Sequence, residues 1–117
     1  MADHPYLDRI RAILIEQGDF YSIEDIFAEV QDGRAQSFAN GDSLIVTSIR
    51  VFPKRKALEI RLAVGALTEI YEMQPKVVAF AKEQGCDRML AAVGRDGWEV
   101  AATPGWIKAG MLWVRKI

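Results

Sequence analysis

Leu7, Ile10, Ile13 and Leu14 recur at the spacing of one helix face. Pro5 ahead of them suits a first helical turn, where its missing N–H costs nothing, and Gly18 closes the segment. Ser22-Ile23-Glu24-Asp25 then has the character of a capping box, an N-cap hydroxyl followed three residues on by an acid. Ile23, Ile26, Phe27 and Val30 supply the apolar stripe of a second short helix. From Arg34 the period shortens. Ala35 to Ala39 reads as an edge strand, and Ser43 to Phe52, rich in Leu, Ile, Val and Thr, as a longer one. After a turn at Pro53-Lys54-Arg55-Lys56, Leu58, Ile60, Leu62 and Val64 fall on one face and Ala57, Glu59, Arg61 and Ala63 on the other. The strands flanking that turn are expected to pair antiparallel.

Gly65 ends the alternation, and Leu67, Ile70, Tyr71, Val77, Val78 and Ala81 return to helical spacing, with Gly85 suited to the position just past the helix end. Pro75 lies inside that run. It removes one hydrogen bond and crowds the Tyr71 carbonyl, which predicts a kink or a restart. Arg88 to Val93 reads as a buried strand, Gly94-Arg95-Asp96-Gly97 as a loop, Trp98 to Ala101 as part of a short helix, Pro104-Gly105 as a turn and Met111 to Ile117 as a closing strand. Helix, helix, three strands, helix, strand, short helix, strand is a mixed α/β (α+β) order, implying a sheet covered by helices. At 117 residues the chain is expected to form one domain over 1–117.

Composition narrows the chemistry. Half of the residues are hydrophobic and 26% charged, as in a globular protein. Residues 1–60 carry 7 bases and 10 acids and residues 61–117 carry 8 and 6, so neither half has the basic excess of a nucleic-acid-binding domain. The dense cluster Lys54, Arg55, Lys56 sits at a hairpin tip and reads as solvated charge. One cysteine, Cys86, excludes an internal disulfide, and one histidine, His4, argues against a histidine triad or a zinc site. Met1-Ala2-Asp3-His4-Pro5 does not resemble a signal segment, and no apolar run approaches membrane-spanning length, so a cytoplasmic protein is expected.

Three runs carry a family resemblance: Tyr21-Ser22-Ile23-Glu24-Asp25-Ile26, Phe80-Ala81-Lys82-Glu83-Gln84-Gly85-Cys86 and Gly94-Arg95-Asp96-Gly97-Trp98. Together with the element order from residue 43 onward, they resemble the GNAT (N-acetyltransferase) fold in the divergent form found in bacteriophage genomes. The resemblance implies an antiparallel strand pair, a helix whose N-terminus receives the pyrophosphate of CoA, a following strand, a further helix and a closing strand. The whole is a central mixed, mostly antiparallel sheet flanked by helices.

The resemblance also says where a cofactor would sit, at the turn Gly65-Ala66. The family signature there is Arg or Gln, two residues, Gly, one residue, then Gly or Ala. With Arg61 in the first place, Ala66 fits the last but Val64 fills the glycine position. With Gly65 as the glycine, Leu62 and Leu67 stand where Arg or Gln and Gly or Ala belong. The family's usual acid is a tyrosine, and residues 94–106 contain none. Glu59 is the one candidate base, yet it shares a strand face with Arg61 and reads as an exposed or paired charge.

Gly94, Arg95, Asp96, Gly97 and Trp98 form a candidate binding loop at the C-terminal end of a strand. Within it Trp98 suits core packing, Asp96 a helix cap and Arg95 an outward contact. The expectation is therefore a phage or prophage GNAT-like protein with a degraded acetyl-CoA motif. It would be non-enzymatic, would require no cofactor and would act through protein contacts in the virion or its assembly, in the host cytoplasm. The alternative is an active acetyl-CoA-dependent N-acetyltransferase with unusual cofactor contacts.

Overall fold

The computed structural model describes residues 7–16, 18–92, 106–109 and 112–117. Their order is α1 (Leu7–Glu16), α2 (Ile23–Gln31), β1 (Gln36–Asn40), β2 (Ser43–Val51), β3 (Lys56–Val64), α3 (Leu67–Glu83), β4 (Arg88–Ala92), β5 (Trp106–Ala109) and β6 (Leu112–Lys116). The strands form one sheet in the order β1-β2-β3-β4-β6-β5. Only the β3–β4 pair is parallel, and α3 makes the crossover between these two strands that a parallel pair requires. The molecule is thus a mixed α+β fold with a mixed, mostly antiparallel sheet. The short helix expected over Trp98–Ala101 and the turn at Pro104-Gly105 lie outside the described residues. The sequence pattern did not reveal β5, whose four residues are too few to show alternation.

The expected common face of Leu58, Ile60, Leu62 and Val64 does not exist. Pairing runs Val46↔Leu62 and then Thr47↔Ile60, so Arg61 is an extra residue in β3, a β-bulge. An inserted residue reverses the phase of a strand whose side chains alternate with period two. Leu58 and Ile60 therefore pack with Ile70, Met73 and Val77 of α3, whereas Leu62 and Val64 pack with Ile10 and Leu14 of α1 and Ile26 of α2. One strand supplies two cores, and the sheet is the middle layer between α1 and α2 on one face and α3 on the other.

Local chemistry sets the helix ends. The Asp25 N–H donates to Ser22 Oγ at 3.2 Å and the Ser22 N–H donates to Asp25 Oδ2 at 2.9 Å, which is the expected capping box. These two bonds, the backbone one foremost, hold the Asp25 carboxyl below the usual carboxylate range. Because the folded value is depressed, the contribution is present at neutral pH and is lost as pH falls through the folded pKa. At the end of α3, the Gly85 N–H reaches the Lys82 carbonyl at 3.0 Å and the Cys86 N–H the Ala81 carbonyl at 2.9 Å. This is the two-bond Schellman closure, and Gly85 makes it with φ +81°.

The expected restart at Pro75 is absent, since α3 runs through it as one helix of 17 residues. Ile70, Met73, Val77 and Ala81 are buried on both sides of the proline, and this packing against β2, β3 and β4 holds the helix together across the lost bond. Pro75 itself is exposed. Pro75→Ala should therefore restore a hydrogen bond without removing a core contact, and raise stability by about 1–3 kcal/mol. Urea unfolding would show a higher midpoint at an unchanged slope; an unchanged or lower midpoint would mean that the helix carries no strain at residue 75.

Candidate functional site

The turn from β3 into α3 holds Gly65 and Ala66, where the resemblance would put a cofactor. Ala66 is the N-cap residue of α3 and has no side-chain group to accept a hydrogen bond. Its own N–H is satisfied from the neighbouring strand β2. Ser43, fully buried at the start of β2, sits beside this turn because Leu44 pairs with Val64. Its hydroxyl accepts the Ala66 N–H at 2.9 Å and donates to Glu69 Oε1 at 2.6 Å. Glu69 lies in the first turn of α3, where the helix dipole favours an anion. Asn40 Nδ2 fixes the same turn by donating to the Glu69 carbonyl at 3.0 Å. The arrangement is one half of a capping box, the half from the N-cap N–H to the acid three residues on, with a hydroxyl inserted between the two.

Gly65 makes this possible. Its φ is +120°, and a Cβ there would lie 2.6 Å from the Ser43 Cα, closer than real side-chain carbons come. The structure thus brings Gly65 and Ala66 together with Ser43 and Glu69, two residues that the sequence did not single out. Ser43 is recognisable only through strand register, because it lies 23 residues from Ala66. Glu69 had a local signal, an acid in a first helical turn, but that signal does not show what it bonds.

A second cluster surrounds the bulge. Arg61 Nη1 lies 2.9 Å from Glu29 Oε2, in an ion pair off the line of a hydrogen bond, and the two side chains are only 12% and 18% exposed. The same guanidinium sits over the Tyr21 ring, 4.8 Å from its centroid, and Nη1 reaches Ser48 Oγ at 3.4 Å. The cluster ties β3 to α2 and to the segment leading into it. Glu59 is paired as expected, with Arg50 Nη1 donating to Oε2 at 3.1 Å across the β2–β3 pair. It is therefore a cross-strand partner, and no described tyrosine acid accompanies it.

Other chemistry is sparse. Cys86 is buried, and burial pushes its thiol pKa up, away from the reactive thiolate. Among the described residues no group of His, Cys, Asp and Glu could hold a metal ion, and no helix is long and apolar enough to cross a membrane. The candidate loop Gly94, Arg95, Asp96, Gly97 and Trp98 lies outside the described residues. A depression of about 180 Å³ opens where α1 meets α2, with Leu14, Ile15, Tyr21 and Ile23 for its apolar wall and Arg11, Asp19 and Glu24 for its charged groups. No known protein family, characterised protein or solved structure matches the chain.

Gly65→Ala should destabilise the fold by at least about 2 kcal/mol, because it combines a disfavoured φ with a backbone clash. Thermal unfolding measures it, and a parent-like melting temperature would mean that the turn can move away from Ser43. Arg61→Ala should cost about 2–3 kcal/mol by leaving Glu29 half-buried without its cation. Arg34→Ala, which removes an exposed pair with Asp32, should change stability by less than about 0.5 kcal/mol. Equal losses for the two arginines in chemical denaturation would contradict the distinction.

Proposed function

We propose that the chain is a GNAT-like protein of the divergent bacteriophage type that does not transfer acetyl groups and acts through protein contacts, in the virion or its assembly. The order of the antiparallel pair β2–β3, the helix α3, the parallel strand β4 and the closing strand β6 supports the likeness of fold. Fold alone carries no chemistry.

The observation that carries the functional half is the closed head of α3. A pyrophosphate needs vacant backbone donors and an absence of competing negative charge. Here the Ala66 N–H is engaged by Ser43 and the Glu69 carboxylate already occupies the favourable end of the helix dipole. An incoming polyanion would meet a like charge and would have to displace a buried hydroxyl, leaving that hydroxyl to find another partner. The latch therefore works against a polyanion at the head of α3. Contacts with other proteins then remain as the way in which such a fold acts, and no cofactor takes part.

Calorimetric titration with acetyl-CoA tests the reading. Binding in the millimolar range or none is expected. A dissociation constant in the low micromolar range, about −8 kcal/mol, would contradict it and return the chain to the acetyltransferases.

A further inference from the structure

We propose that the β2–β3 hairpin tip of one copy docks into the depression between α1 and α2 of a second copy. The tip is unusual for a turn. Residues 50–56 carry four cations, Arg50, Lys54, Arg55 and Lys56, and no acid. Between them stand Val51 and Phe52, which are 78% and 40% exposed. The Arg50 guanidinium lies 5.5 Å from the Phe52 ring centroid, so the aromatic side chain is dressed in positive charge. The Arg50–Glu59 and Arg55–Asp87 pairs nearby are exposed and therefore weak, so both cations remain available to a partner.

The opposite character is found at the other end of the molecule. Residues 7–34 carry seven acids against three bases. The depression there has an apolar wall with Asp19 and Glu24 beside it against one cation, Arg11, whose guanidinium lies 3.5 Å from the Asp8 carboxylate. Ile15 and Phe20 next to it are 63% and 81% exposed, apolar surface that the fold leaves in water. A cavity of about 150 Å³ is enough for benzene, so the volume of about 180 Å³ accommodates one phenyl ring. Phe52 is an exposed ring with cations around it.

The two surfaces cannot meet within one molecule. α1 and α2 pack over Leu44 and Val64 at one end of the β2–β3 pair, and the tip leaves the other end beyond Val51↔Lys56. Any contact between them joins two copies. A single-stranded nucleic acid also suits a basic tip with an aromatic residue, but only a second copy supplies a surface matching it in both charge and apolar character. The inference rests on the reading of this chain as one that acts through protein contacts, and it names the partner. The two fail separately, because acetyl-CoA titration probes the head of α3 and self-association probes this surface.

One hairpin contact buries less than the ~1,000 Å² of a stable interface, so association should be weak, with a dissociation constant of about 10–100 µM at low salt. Added salt should weaken it, since exposed charges are screened beyond about 10 Å at 0.1 M. The test is sedimentation velocity of the full chain over this concentration range, with thermal melts confirming that each variant folds. Lys54→Glu and Glu24→Lys should each weaken self-association at least about tenfold, and an equimolar mixture should recover it as a heterodimer. Phe52→Ala should weaken it without altering its salt dependence. A parent protein that stays monomeric to about 500 µM at low salt would overturn the proposal, as would variants that associate like the parent. A fluorescent single-stranded oligonucleotide bound by a monomeric parent, and lost in Lys54→Glu, would overturn it in favour of nucleic acid.

Discussion

The approach of Gly65 to Ser43 is the constraint on which the rest of this structure depends. A strand that must turn directly into a helix leaves backbone donors facing inward at the turn, and Ala66 brings no side-chain group to satisfy them. The neighbouring strand supplies the acceptor, Ser43 Oγ, and Glu69 anchors that hydroxyl from the helix side. Any side chain at residue 65 would hold the strand away. With the contact made, α3 is directed back across the sheet, and Ile70, Met73 and Val77 reach Ile45 and Leu58. The same latch places the Glu69 carboxylate in the first turn of α3, at the favourable end of the helix dipole.

The bulge at Arg61 solves a different problem. A strand in the middle of a three-layer fold must feed both faces, and β3 does so by changing phase partway along its length. The residue at the change is long and charged. It lies against Glu29 and Tyr21 where α2 covers the sheet, so the helix above the bulge is held by a mostly buried ion pair and an aromatic face. Such pairs add little net stability, but breaking one is costly because the remaining charge is stranded.

Much of this architecture was legible in the sequence, for local reasons. The Ser22 capping box, the closure at Gly85, the hairpin at residues 53–56 and the start of α3 at Leu67 each follow from neighbouring residues, and the structure agrees with them. The misreadings are non-local. Four apolar residues at even positions of β3 look like one face, and only the pairing with β2 shows that Arg61 is supernumerary. Pro75 suggests a kink or a restart, and the restart is ruled out because Met73 and Val77 on either side of it pack into the same core within one helix. The candidate site was half legible. Gly65 and Ala66 mark a turn, but Ser43 and Glu69, which hydrogen-bond at it, reach it through strand register and helix packing.

Amide hydrogen exchange at Ala66 measures the bond by which Ser43 latches the turn between β3 and α3. The Ala66 N–H donates to the buried Ser43 hydroxyl, so its exchange reports on that bond. The account predicts exchange at least about a hundredfold slower than in an unstructured peptide, unchanged by acetyl-CoA and lost in Ser43→Ala. An Ala66 amide that exchanges at the unprotected rate in the parent protein, and becomes protected when acetyl-CoA is added, would contradict it.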